Sequence, residues 1–366
     1  MERRGRVRDQ TVPYGSDRRC VRRGEQQGQP SGLESPMNEQ RNAMAIARAR
    51  HALLSAGLDS TVELEAATSV TNEVWMTEQH VIRVNRRPNQ RLRREAILGQ
   101  SLPSEIGYPT VVSCGDQMGA DFLVVARVPG EPLAHCWPEM TREQRRRAIS
   151  QLARKMRHLH QTLAPSDLPS IDAPQLLRED TLSPVVSLLA ALDDARSLQY
   201  VDRGLIDDLE NLVSELTPAI EPFTSRNLVH GDLTFENVLW DGTDVTAILD
   251  FEWARTAPAD VDLDVLLRMC HYPSLHVGEE WVDRTHAEDY ADVPEWLQED
   301  YPELFSFPRK ADRLRLYSIA YDLRDLTMFP PGAPSRQLHE LHSLNRLRNA
   351  VLGCSHLDVS DAGTRR

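Results

Sequence analysis

The sequence predicts a two-lobed α+β fold, with a small antiparallel-sheet lobe followed by a larger, mostly helical lobe. Three observations carry this. Short strand-like runs crowd residues 62–126 and end at Val128-Pro129-Gly130. Beyond that break, apolar residues recur at helical spacing. Within the helical part, residues 228–251 read as strand, loop, strand, turn and strand, and they concentrate His, Asp and Asn.

In chain order, residues 1–36 mix Arg, Gln, Gly, Ser and Pro without apolar period. They read as a disordered basic tail or as sequence ahead of the true start at Met37. Residues 38–56 form a helix with Ala43, Ile46, Ala47, Leu53 and Leu54 on one face. Strands follow near Val62–Leu64, Glu73–Met76 and His80–Val84, then a helix over 90–101 and strands at Thr110–Val112 and Phe122–Ala126. Residues 37–127 make the first lobe, and Ala126–Gly130 is the hinge. The second lobe spans 128–356, with helices over 142–161, 204–216, 261–270, 310–328 and 335–353. Residues 357–366 are a flexible tail.

The net charge of −13 makes nucleic acid and anionic membrane poor partners. Without residues 1–36 the balance is 34 basic to 50 acidic residues, which suits a cationic partner or simply keeps the protein soluble. No apolar run approaches the roughly 20 residues of a membrane span, and the Arg-rich start lacks the apolar core of a secretory signal. Five scattered cysteines read as reduced thiols in a cytoplasmic protein. Lysine occurs only at 155 and 310.

The chemistry lies in His230-Gly231-Asp232-Leu233, in Asn237 five positions past the Asp, and in Asp250-Phe251 after an apolar run. Asp232 is placed to take a proton from a hydroxyl. Asn237 and Asp250 offer hard oxygen ligands for Mg²⁺. The turn Asp241-Gly242-Thr243 joins two short strands and brings those ligands together. The same three groups in the same order serve ATP-dependent phosphoryl transfer in kinase-type enzymes. His230 reads as a structural residue rather than a base, and Gly231 permits a tight backbone path.

These motifs, with Ile248-Leu249-Asp250-Phe251-Glu252-Trp253-Ala254, resemble the aminoglycoside phosphotransferase/choline kinase-like family. The resemblance extends to Pro258–Leu263, to Phe122–Leu133 and to Leu152–His160, covering about residues 45–350. It implies a protein-kinase-like fold, with ATP and Mg²⁺ as cofactors and a small-molecule hydroxyl as acceptor. It also implies that the linker near Ala126 meets adenine through its backbone. Two departures stand out. The family's phosphate-gripping Lys is absent, and Arg83 takes its place with Glu95 as partner. The phosphate-covering loop, Ala67–Asn72, has no Gly, so Ser69 and Asn72 are its candidate contacts. Glu252 stands where protein kinases carry the Gly of D-F-G, so no flexible activation switch is expected.

Residues 279–303 hold ten acidic residues interleaved with Trp281, Tyr290, Trp296 and Tyr301. This composition suits a cationic acceptor such as an aminoglycoside, and equally a solvated acidic loop. Other acceptors remain open: choline, homoserine, a macrolide, a sugar or a protein hydroxyl. A catalytically silent nucleotide-binding protein and a metal-dependent hydrolase using His230 and Asp232 are the rival classes.

Overall fold

Side-chain alternation builds the first lobe. The computed structural model describes residues 36–359 except 68, 70–71, 88, 118–119, 170–175, 178–182 and 222. Nearly all of both expected tails lies outside the described residues. Helix α1 (Pro36–Ser55) is followed by β1 (Glu65–Ala67), β2 (Asn72–Met76), β3 (His80–Asn85), α2 (Arg91–Ser101), β4 (Val111–Gln117) and β5 (Ala120–Ala126). The five strands are antiparallel in the order β1-β2-β3-β5-β4.

Successive strand side chains point to opposite faces. Ile82, Val84, Phe122 and Val124 therefore pack with Ala49, Ala52 and Leu53 of α1. Leu123 and Val125 pack with Leu92 and Ala96 of α2 on the other side. Arg83 lies opposite Leu123 in register and so shares the α2 face. Asn72 corrects an expectation: it is buried in β2 opposite Asn85, so it belongs to the strand and not to the loop before it.

The second lobe runs β6 (Glu131–Pro132), α3 (Leu133–Cys136), α4 (Arg142–Gln161), α5 (Pro184–Ala195), α6 (Arg203–Leu216), β7 (Leu228–Val229), β8 (Val238–Trp240), β9 (Val245–Ile248), β10 (Arg255–Thr256), α7 (Asp260–His271), α8 (Val293–Asp300), α9 (Lys310–Met328) and α10 (Ser343–Val351). Helix α4 starts at a capping box, in which Thr141 accepts the Gln144 N–H at 3.2 Å and Gln144 reaches back to the Thr141 N–H at 2.9 Å. It buries Ala148, Ile149, Leu152, Ala153, Met156 and Leu159, one face of the 3.6-residue period. Two small sheets, β6-β8-β9 and β7-β10, frame the motif passage.

Buried ion pairs lock the long helices together: Arg313 with Asp260 at 2.5 Å, and Arg268 and Arg346 each with Asp322 at 2.7 Å. The expected helix over 335–353 begins only at Ser343, where the His342 side chain accepts the Leu344 N–H at 3.1 Å. Residues 335–337 are a single 3₁₀ turn. No described helix is long and apolar enough to cross a membrane.

Candidate active site

The loop after β7 is held by its backbone. Gly231 has φ +78°, and a Cβ there would sit 2.5 Å from Arg255 Nη1 and 2.7 Å from the Trp253 carbonyl, so glycine is required. Asp262, buried on α7, accepts the His230 N–H at 2.8 Å and the Gly231 N–H at 2.7 Å. Its third partner is His160 Nε2 at 3.0 Å. Burial would raise the Asp262 carboxyl, but His160 and the Gly231 N–H hold it below its ordinary value. His230 donates from Nε2 to the Leu249 carbonyl at 2.7 Å, which leaves Nδ1 to accept the Asp232 N–H at 3.3 Å. His230 is thus a brace and not a base.

Asn237 Nδ2 donates to the Asp232 carbonyl at 2.9 Å, and the Asn237 carbonyl accepts the Leu249 N–H at 2.8 Å. Asp232, Asn237 and Asp250 are thereby laced into one frame. Asp232 Oδ1 is buried without a hydrogen-bond partner. Asp250 adopts the left-handed conformation (φ 59°, ψ 63°), and its carboxylate is 35% exposed. With its amide nitrogen committed, Asn237 keeps its Oδ1 as an acceptor, and its main-chain bond to Leu249 holds it next to the segment that ends at Asp250. Two hard oxygens of this kind fit Mg²⁺, which takes one or two protein carboxylates along with phosphate oxygens and water.

Facing this frame, Arg83 Nη1 contacts both Glu95 oxygens at 2.8 and 2.7 Å, and Nη2 reaches Asp250 at 3.0 Å. Glu95 is fully buried and also accepts from Tyr108 Oη at 3.0 Å and from the Phe251 N–H at 3.4 Å. Burial raises the Glu95 carboxyl, and Arg83 is the main opposing influence. Glu252 is buried beside Arg91, 3.6 Å away. Burial, and then the nearby Asp250, push its carboxyl up to about 8. Helix α2 is therefore tied to residues 250–252 through both Glu95 and Arg91.

In the linker, Ala126 spends its N–H on the Thr110 carbonyl at 2.9 Å, and Arg127 spends its own on Gln79 at 2.8 Å, which leaves other linker main-chain groups for adenine. Of the loop before β2, Ser69 offers its carbonyl to Arg86 at 3.0 Å, while residues 68, 70 and 71 lie outside the described residues. Half of the acidic stretch 279–303 is tied to α4: Asp289 to Arg145, Asp292 to Arg142, Glu299 and Asp300 to Arg146, and Glu303 to Arg157. Of its aromatics, Tyr290 stacks on Trp137, Tyr301 lies against His160, and Trp281 stacks on His135, which contacts Glu236 beside Asn237. None of its residues lines the cleft against Gly231.

That cleft is bordered by Gly231, Trp253, Arg255, Asp264, Tyr321 and Arg324. Sequence reasoning missed Arg255 and Arg324. Arg255 had a signal, five positions past Asp250, whereas Arg324 is brought in by α9 and Tyr108 by the approach to β4, neither with any local pattern.

Comparisons with known proteins agree with this geometry. The model of the phosphotransferase enzyme family matches residues 67–303. An aminoglycoside 3'-phosphotransferase of Streptomyces fradiae is 32% identical over 199 residues, which cover 50% of this chain and 65% of that protein, just under two thirds of its length. ADP-bound aminoglycoside phosphotransferase APH(2'')-Ib superposes with a TM-score of 0.54 at 15% identity, over 88% of this chain and 100% of that one. The GDP complex of aminoglycoside 2'-phosphotransferase-IIIa gives 0.56 at 18% identity, over 86% and 99%. A choline/ethanolamine kinase family protein from Mesorhizobium loti gives 0.52 at 17%, over 89% and 95%. At these identities the solved structures speak to the fold alone, which is the two-lobed, protein-kinase-like one. With the family model spanning both the Arg83 strand and the Asp232–Asp250 frame, the chain belongs to the phosphotransferase enzyme family.

Proposed function

We propose that this protein moves the γ-phosphoryl group of ATP to a hydroxyl of a small molecule. In this reading residues 37–127 hold the nucleotide, and residues 128–356 carry the base, the metal ligands and the acceptor cleft. The observation that carries it is the convergence of Asp232, Asn237 and Asp250 with the Arg83–Glu95 pair, joined by the 3.0 Å contact of Arg83 to Asp250. A silent binding domain has no need of the unpartnered Asp232 oxygen.

Asp232 accepts the hydroxyl proton as the acceptor oxygen bonds to the γ-phosphorus. The bond from that phosphorus to the β-bridging oxygen breaks, and ADP leaves. Asn237 and Asp250 would hold Mg²⁺, which would supply neutralisation of phosphate charge. Arg83, aimed by Glu95, offers its guanidinium to phosphate oxygens. Ser69 belongs to the loop that covers the phosphates, and adenine is met by linker groups other than the Ala126 N–H. Use of ATP places the reaction in the cytoplasm.

The names of the relatives support an aminoglycoside acceptor: the Streptomyces fradiae protein is named for one, and solved neighbours carry streptomycin, gentamicin and kanamycin in their descriptions. The choline/ethanolamine kinase neighbour supports a smaller cationic alcohol. A cationic acceptor therefore rests on similarity, since the acidic stretch is paired with α4.

The test is Asp232→Asn. Phosphate transfer to an acceptor panel should fall about 1,000-fold or more, while nucleotide affinity stays within a few-fold. Near-normal turnover in this variant refutes the assignment.

A further inference from the structure

One aromatic side chain touches both halves of the site. Tyr108 lies between α2 and β4, and its hydroxyl donates to Glu95 Oε1 at 3.0 Å. Its ring meets Phe251 edge-on, with ring centres 5.6 Å apart, and Phe251 in turn lies 4.7 Å from the His230 ring. The ring also crosses Gly99 of α2, where a Cβ would collide with it. Burial, and then the Glu95 charge, push the Tyr108 phenol well above its ordinary value, so the hydroxyl keeps its proton and serves as a donor.

The supports of Tyr108 come from the second lobe. Ile106, two residues before it, is fully buried in the core of that lobe. Gly107 has φ +74° and lies so close to the Thr246 carbonyl of β9 that no Cβ fits. Lys155 of α4 donates to the Glu105, Ile106 and Thr246 carbonyls at 2.7, 3.3 and 3.4 Å. Its three ammonium protons are thereby spent on the turn that leads into Tyr108 and on the strand beside it.

The consequence falls on Glu95. That carboxylate is fully buried. Its Oε2 takes Arg83 at 2.7 Å, while Oε1 takes Arg83 at 2.8 Å, the Tyr108 hydroxyl at 3.0 Å and the Phe251 N–H at 3.4 Å. When Arg83 turns donors toward phosphate oxygens, those donors leave Glu95. The Phe251 contact is long, so the Tyr108 hydroxyl is the closer donor that stays. A carboxylate fixed at one oxygen presents the other in a fixed direction, and a buried one that loses a donor shifts toward the cation that remains.

We infer that Tyr108 is a positioning residue for the grip on phosphate: anchored from the second lobe through Lys155 and Gly107, its hydroxyl fixes the Glu95 carboxylate, and Glu95 aims Arg83. This rests on the phosphotransferase reading and adds to it a link from the second lobe to the Arg83–Glu95 pair.

Tyr108→Phe keeps the ring and removes the hydroxyl. Calorimetry with Mg²⁺ and a non-hydrolysable ATP analogue should show affinity about tenfold weaker than that of the wild type. KM for ATP should rise by a similar factor, while KM for the acceptor stays within about twofold and Tm within a few degrees. In an Arg83→Gln background the same substitution should change nucleotide affinity by less than about twofold, because a residue that acts through Arg83 then has nothing to act on. Unchanged nucleotide affinity in Tyr108→Phe overturns the inference. So does an equal loss in both backgrounds, or a rise in both KM values together, since each marks a purely structural residue. An Arg83→Gln variant that binds the analogue as tightly as the wild type also overturns it, and leaves the phosphotransferase reading to the Asp232→Asn test. A wild-type chain that binds no magnesium–nucleotide overturns both.

Discussion

The loop that carries the base and the strand that carries Arg83 meet at Asp250, but they are held in opposite ways. His230, Gly231 and Asn237 are fixed through main-chain groups, with Asp262 and Leu249 as partners at 2.7–2.8 Å. Arg83 has its backbone held in β3 between β2 and β5, while its guanidinium is fixed by side-chain ion pairs, spanning Glu95 in its own lobe and Asp250 in the other. Main-chain anchoring sets the position of Asp232 largely independently of any ligand. Side-chain anchoring makes the grip on phosphate depend on how the two lobes are placed. The half proposed to carry the base and the metal is thus the preorganised one, and the half proposed to grip phosphate is the adjustable one.

The sharpest way to break this contrast is Asp262→Ala. It strands two buried N–H groups and the His160 imidazole, and it should cost about 3 kcal/mol of unfolding free energy. Turnover should fall by at least about 100-fold as Asp232 drifts from its position. Urea titration and steady-state assays check both, and a variant with normal stability would show that the loop does not depend on its anchor. Next comes Arg83→Lys. An ammonium keeps the charge but cannot span both carboxylates as the guanidinium does, so kcat/KM for ATP should fall about tenfold. If lysine instead matches or exceeds arginine, the double contact to Glu95 and Asp250 has no catalytic role.

The smallest effect concerns Asp264, two residues from Asp262 on the same helix and equally deprived of water. Asp262 has partners and is held low, whereas Asp264 lacks a partner for its Oδ1 and is raised to about 7. A carboxyl raised in the folded state binds more protons there than in the unfolded chain between pH about 4 and 7, so stability falls as pH rises through that window. Asp264→Asn should remove this slope. It should raise stability by about 1–2 kcal/mol at pH 8 and by little at pH 4. Thermal melts at the two pH values check it, and equal gains at both would mean that Asp264 does not titrate in this range. Asp262 carries the opposite sign, with its contribution lost as pH falls below about 4.

Much of the site was legible because it is local. The five-residue step from Asp232 to Asn237 and the turn that returns the chain to Asp250 are short-range facts, and the H-bonded frame follows from them. The helix over 142–161 was legible from its period. Arg83 and Glu95 were also readable, because strand alternation and an α2 helix facing that side bring them together. The acidic stretch misled because composition does not say which way charges face, and α4 happened to offer the matching arginines. Which main-chain group near Ala126 stays open was not legible, because a donor at a strand end is taken by whichever neighbour lies beside it, here Thr110.

Local periodicity and spacing by themselves indicated the two lobes, the proposed base and the proposed metal ligands, and the family resemblance added Arg83 in the place of a lysine. Each of these depends on residues whose separation along the chain sets their separation in space. Only the tertiary structure decided what lines the cleft against Gly231. Arg255, on β10, and Arg324, on α9, are far apart in sequence and meet there only through packing. The electrostatics of a cleft is a sum over residues that packing, and not sequence distance, selects.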